Sequence, residues 1–223
     1  EIYVDVAEGA EFALTYIQFA PVDVPVASRI HANVARGGLF SSTLVEAGAA
    51  HTASELRVTL AGDEARADVW GLYFGDEARK IDLNYVIRQE GRRTDANMQV
   101  RGALLDRSVK TFRGTLDFIQ GARGSVGKED EEVMLFSPHV RNRSVPLMLS
   151  HEGDVDGHHA VSIGRMDAEK LFYLMSRGLD DRAAQQLIVE ASFEPVMARI
   201  ESEELRAEIA GYLERRLLGG TQE

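Results

Sequence analysis

From its first residue to about position 160 the chain alternates short extended runs with glycine-containing turns, and one of those turns recurs letter for letter. Gly62-Asp63-Glu64-Ala65-Arg66 returns as Gly75-Asp76-Glu77-Ala78-Arg79, 13 positions further on. Looser versions are Glu8-Gly9-Ala10, Glu46-Ala47-Gly48-Ala49 and Gln120-Gly121-Ala122. Glycine permits the tight turn, and the small residue after it fits inside a narrow coil. Between turns, Leu56 to Leu60 and Ala65 to Val69, running on into Trp70 to Phe74, alternate apolar with polar residues. Period-two alternation puts every second side chain on one face of a sheet. A strand and a tight turn, repeated, predict a solenoid or a long meander. The pitch reads as irregular, unlike that of a hexapeptide-repeat acyltransferase. A two-sheet sandwich gives the same short strands and frequent turns, so the pattern leans only slightly to the solenoid.

After Gly164 the period changes to that of helices. Asp167 is placed as an N-cap, Leu171, Leu174 and Met175 share one face, and Gly178 is placed as a stop. Asp180 or Asp181 opens a second helix with an apolar stripe of Ala184, Leu187, Ile188 and Ala191, and with Pro195 near its end. Ser202 caps a third, with Leu205, Ile209, Leu213 and Leu217 near one face. Arg215 and Arg216 sit in its last turn, where the helix dipole favours cations, and Gly219-Gly220 ends it. The chain therefore divides into a β core over 1–164 and a helical region over 165–223. Leu171-Phe172-Tyr173-Leu174-Met175 is more apolar surface than one helix face holds. It must pack on the β body or on another protein.

Charge and composition remove several classes of function. The net charge is -11, from 25 basic and 36 acidic residues, which repels phosphate backbones and anionic membranes. The run from Arg88 to Arg93 reads as a solvated strand end. With no cysteine, the chain by itself has no thiolate nucleophile, disulfide or cysteine-held metal. No apolar run approaches the roughly 20 residues that span a bilayer. The opening Glu1 to Val6 does not read as a signal peptide, which points to the cytoplasm.

His151, His158 and His159 fall close together among Glu152, Asp154 and Asp156, a set of nitrogen and oxygen donors suited to a divalent metal. On a strand His158 and His159 point to opposite faces, so one ion cannot take both without a bulge. No G-x-S-x-G elbow, H-E-x-x-H helix or P-loop is present. The pairs Asp63-Glu64 and Asp76-Glu77 read as solvated turn residues. A carbohydrate-active β-helix enzyme would need a groove of Asp, Arg and aromatics. With 7% aromatic residues and one Trp, it ranks last.

The segment from Asp154 to Asp167, DVDGHHAVSIGRMD, resembles the signature DDVxCSHGATxGxLD of the SufB/SufD family of iron–sulfur cluster assembly proteins. Leu171 to Leu179, LFYLMSRGL, is similar to that family's LFYLxSRGI, and Ala183 to Ile188 continues the likeness. Asp106 to Gly114 is similar to DxARSVFxG, and Arg79 to Asp82 fits a further region less tightly. The resemblance covers most of the chain. It implies a right-handed parallel β-helix followed by a C-terminal α-helical domain. It also implies pairing of β-helices, and docking of an ABC-type ATPase, SufC, by the C-terminal helices. The family's cysteine falls at Gly157, its serine at His158 and its histidine at His159. The helical part that precedes the core in longer members is absent from these residues.

These correspondences imply a non-catalytic, SufD-like scaffold subunit. Its partners are a SufC-like ATPase and a SufB-like paralogue or a second copy of itself. Phe172, Tyr173 and Arg177 are the candidates for the ATPase interface, with core packing as the alternative for the two aromatics. The chain has no intrinsic cofactor. Iron or a cluster shared with a partner would find His159, and less directly His158, as candidate ligands. The other reading is a homodimeric β-helix that binds a metal through His159, with His151 or Asp156.

Overall fold

A computed structural model describes residues 1–165 and 168–217. Twelve strands come first: β1 (Ile2–Val6), β2 (Glu11–Gln18), β3 (Pro25–Val34), β4 (Leu39–Glu46), β5 (His51–Leu60), β6 (Arg66–Gly75), β7 (Lys80–Gln89), β8 (Asp95–Leu104), β9 (Val109–Phe118), β10 (Ser125–Leu135), β11 (Arg141–Ser150) and β12 (Val155–Arg165). Three helices follow, α1 (Ala168–Ser176), α2 (Asp181–Met197) and α3 (Glu203–Leu217). Odd strands form one six-stranded sheet in the order β1-β3-β5-β7-β9-β11, and even strands form the other, β12-β10-β8-β6-β4-β2. Every pairing is parallel. One odd and one even strand make a coil, and six coils stack into a parallel β-helix.

The repeat that builds it is longer than the one the eye catches. Register partners such as His51, Lys80 and Val109 mark successive coils, 29 positions apart in the middle of the solenoid, and the offset ranges from 26 to 32 along it. The two Gly-Asp-Glu-Ala-Arg pentapeptides close opposite ends of a single coil, 62–66 joining β5 to β6 and 75–79 joining β6 to β7. At the first of those ends the turns stack through one device. Gly9, Gly37, Glu64, Arg93 and Gly124 all adopt positive φ. Each sends its N–H to the next turn, to the carbonyls of Arg36, Asp63, Arg92, Arg123 and Asp154. A left-handed residue there turns the N–H along the solenoid axis, which is why Glu64 and Arg93 bear that conformation despite their side chains.

Inward side chains make ladders of like residues, as the period-two pattern requires. Ile30, Leu56 and Tyr85 are in register and buried, and Phe112 meets the Tyr85 ring edge-on at 5.6 Å. Gly102 has a steric role: a Cβ there would stand 2.0 Å from Tyr73 Cζ. The tyrosine ring crosses that space to donate to Glu131 Oε1 at 2.9 Å.

A second core lies outside the solenoid. Val45, Leu72, Phe74 and Ala103, on the outer face of the even sheet, are buried under Val189, Phe193 and Val196 of α2 and Ile209, Tyr212, Leu213 and Leu217 of α3. Asp180 caps α2 by accepting from Ala183 N at 2.8 Å, Ser202 accepts from Leu205 N at 3.2 Å, and Gly178 has φ of 100°. These caps and the α3 face agree with the expectations. The stripe of α2 differs: Ala184, Val189, Phe193 and Val196 are buried, whereas Leu187 is exposed. Leu187, Ile188 and Val189 are consecutive, so the rotation of the helix is free until the large Phe193 finds its place on the sheet. Asp167 and Gly219-Gly220 lie outside the described residues.

Candidate functional site

Two places gather the candidate residues, the helical tail and the last coil. In the tail, α3 is held by a buried charge network. Asp76 accepts from Arg79 Nη1 at 2.8 Å and takes Arg216 Nε and Nη2 in a bidentate pair. Arg216 Nη1 also donates to Ala47 O at 2.8 Å, and its guanidinium stacks on Phe74 and Tyr212. Tyr212 stacks on Phe19 with centroids 4.0 Å apart. Burial pulls Arg216 down to about 10. The expectation that Asp76 is a solvated turn residue is therefore corrected, because α3 covers that turn. Arg216, read as a dipole partner, is the bolt of the helix. Beside it, Arg199 pairs with Asp68 and stacks on Trp70.

The first tail helix behaves differently. α1 leans on α2 and leaves Phe172 73% and Tyr173 55% exposed, with Met175 exposed beside them. Arg177 lies 5.2 Å over the Tyr173 ring, a cation–π contact that steadies the tyrosine in water. The three candidate partner residues thus fall at one end of the tail, on α1 or just past it.

In the last coil, β11 and β12 are the final strands of the two sheets, 10 and 11 residues long, and each is hydrogen-bonded on one side only. Register partners in a parallel pair share a face. Glu129 on β10 points inward and is paired with His159, so His159 takes the inward side of β12. Asp156 and His158 take the outer side, where His158 Nε2 lies 3.0 Å from Asp156. His151 stands 3.9 Å from Asp117 on the odd sheet. The three histidines are therefore not brought together. Among the described residues no group of three or more His, Cys, Asp or Glu is arranged to hold a metal ion.

Beneath the last coil lies a charged cluster that the sequence reading missed. Lys110 Nζ pairs with Glu131 Oε1 and donates to Asn142 Oδ1 and Ser144 Oγ, each at 3.0 Å. Lys110 and Glu131 are fully buried. Glu129 is buried next to them, its two oxygens without a hydrogen-bond partner, packed where a Cβ on Gly114 would be 2.1 Å away. The only available signal was inward parity: Lys110 alternates with Phe112, and Glu129 and Glu131 with Val133. Burial, reinforced by the Glu131 and Asp130 carboxylates, pushes Glu129 up to about 7.

The folded chain holds that proton more tightly than the unfolded chain, whose glutamate titrates near 4.5. The resulting stability is present in full below that value and is lost as pH climbs to about 7. Glu129→Gln is expected to flatten the fall of Tm between about pH 5 and about pH 8 and to raise Tm at the upper end by several degrees, at about 2–4 °C per kcal/mol. A thermal scan at both pH values checks this, and parallel wild-type and variant curves would refute it.

Comparison with known proteins bears on the same regions. The family model for the SUF system FeS cluster assembly SufBD core domain matches residues 2–192. The iron–sulfur cluster assembly protein SufD of Bacillus subtilis is 26% identical over 166 residues, covering 74% of this chain and 38% of that protein. A SufBD family protein of Pyrococcus horikoshii is 28% identical over 213 residues, covering 96% of this chain and 47% of its own length. One of Mycobacterium bovis is 26% identical over 195 residues, with 84% and 49% covered. The chain thus spans about half the length, or less, of these relatives. Also, no described helix is long and apolar enough to cross a membrane. With the parallel β-helix, the helical tail and a family match running from the first strand into α2, the chain belongs to the SufBD family of iron–sulfur cluster assembly proteins.

Proposed function

We propose that this chain is a non-catalytic scaffold subunit of a cytoplasmic iron–sulfur cluster assembly complex, and that α1 is where an ABC-type ATPase of the SufC kind grips it. The exposure of Phe172 and Tyr173 carries this reading. The other tail helices bury their large aromatic side chains against the sheet, while α1 leaves two in water, and aromatics of this kind supply much of the energy of protein interfaces. The single-sided edges of β11 and β12 suit pairing with a second β-helix, a SufB-like paralogue or another copy of the chain. Iron or a cluster travelling through such a complex would meet this chain at His159, on the inward side of the last coil, and would take its sulfur ligands from the partner, since this chain has no cysteine.

The test is binding of the purified SufC-type ATPase from the same organism to wild type and to Phe172→Ala/Tyr173→Ala. Losing two exposed aromatic anchors is expected to weaken binding by about 2 kcal/mol or more, some thirtyfold, with an unchanged Tm. Equal affinities would remove α1 from the interface.

A further inference from the structure

A buried carboxylic acid stands directly behind the seat of α3. Glu46 is the last residue of β4 and is 1% exposed, and its two oxygens make no hydrogen bond of good geometry, the Ser54 hydroxyl being the one neighbour that favours its charge. It belongs to the inward set with Phe40, Ser42 and Leu44. The next residue belongs to the other side of the sheet. Ala47 is part of the core under the helices, and its carbonyl accepts from Arg216 Nη1 at 2.8 Å and from Tyr212 Oη at 3.4 Å. One peptide unit therefore joins this interior acid to the acceptor on which α3 is bolted. The turn beyond is held by Gln18, whose Oε1 accepts from Gly48 N at 2.7 Å, and it contains Ala49 at φ 65°.

We propose that Glu46 is a proton-operated control on the helical tail: neutral, it leaves the turn at 47–50 closed and α3 seated, and ionised, it draws water through that turn and loosens α3. Around the carboxyl are Tyr16 and Gln18 from β2, Ser42 from β4, Ser54 from β5, Tyr73 from β6 and Tyr85 from β7. The titratable groups among these are all tyrosines, and among the described residues no cation acts on the acid. The charges of Asp76, Arg79 and Arg216 belong to the helix side of the turn. An anion at Glu46 would thus lack a counter-charge, and an unpaired buried carboxylate is costly until water reaches it. The strands on either side are continuous, and the adjacent break in the ladder is the turn that carries the Ala47 carbonyl. Displacing that carbonyl takes an acceptor from Arg216 and Tyr212 together. Burial raises the acid from 4.5 to about 7, which puts the transition near neutrality. The opened form, with an ordinary carboxyl, gains population as pH rises.

Hydrogen exchange of α3 peptides in the whole chain, corrected for intrinsic rates, reads the effect at about pH 5.5 and about pH 8. Opening of α3 in wild type is expected to increase on the order of thirtyfold across that interval, and in Glu46→Gln to change less than about threefold. A pH response that survives in Glu46→Gln, or α3 protection equal at both pH values in wild type, overturns the proposal. If the variant fails to fold, carboxyl 13C titration of wild type decides instead: a Glu46 resonance titrating near neutrality supports it, and one titrating at an ordinary carboxylate value overturns it.

Discussion

Asp76→Ala is expected to unseat α3 and to cost about 3–5 kcal/mol, the range found when one partner of a buried ion pair is removed. Asp76 is the shared acceptor of Arg79 and Arg216, and all three are nearly inaccessible. Without it two guanidinium groups remain in a low-dielectric pocket where, among the described residues, the Ala47 carbonyl, the Tyr212 hydroxyl and the distant Glu77 carboxylate are left to face them. Their desolvation is then offset by water entry, and water entry means separating α3 from the sheet. Arg216→Met is the milder change, because it leaves Asp76 paired with Arg79 and fills the slot against Phe74 with an apolar side chain. Urea denaturation followed by the single tryptophan checks both, since Arg199 from the end of α2 lies on the Trp70 ring and reports the seating of the tail. A loss below about 1 kcal/mol for Asp76→Ala would place the network in solvent, where ion pairs are worth that little.

Lys110→Met is expected to be as damaging, for the converse reason. It strips the counter-charge from Glu131 inside the solenoid and leaves Asn142 and Ser144 without their donor. Glu129 stands beside it, so a second carboxyl adds to the unbalanced charge as pH rises through the range in which it ionises. A loss of about 3–5 kcal/mol is the expectation for the single variant. In Lys110→Met/Glu131→Gln the charge is gone and the amide oxygen still accepts from Tyr73. Most of the loss should return, leaving the pair about 1–2 kcal/mol below wild type. The double-mutant cycle measures the coupling directly. Equal losses in single and double variants would show that packing around Lys110, and not the ion pair, sets its contribution.

Legibility followed physical range. Strands such as Leu56 to Leu60 and Ala65 to Phe74 were readable because alternation reports which side of a strand meets a core, whatever that core is made of. The helix caps at Asp180 and Ser202 and the stop at Gly178 were readable because a cap acts within three or four residues. The family motif placed the histidine of the last coil and the aromatic run of α1. Contacts between coils were not readable, because their spacing, 26 to 32 residues, is set by turn geometry summed around a circuit. The inward charges Lys110, Glu129 and Glu131 lay in a pattern that otherwise marks core positions, and only partners across the coil and on neighbouring coils explain them.

The two identical pentapeptides separate what each level decides. The letters Gly-Asp-Glu-Ala-Arg determined a tight turn with a left-handed glutamate, Glu64 and Glu77, between two strands at both places, although Ala65 points into the core and Ala78 into solvent. They did not determine what the turn would do. The Asp63 side chain is 27% exposed, pairing with Arg92 at the solvated end, and Arg66 is 49% exposed. The corresponding Asp76 and Arg79 are 7% and 2% exposed and bolt a helix to the solenoid. Solvent access and the arrival of Arg216, 140 residues along the chain, made that difference. Electrostatic strength depends on the dielectric that the rest of the molecule supplies, and no local stretch of sequence carries it.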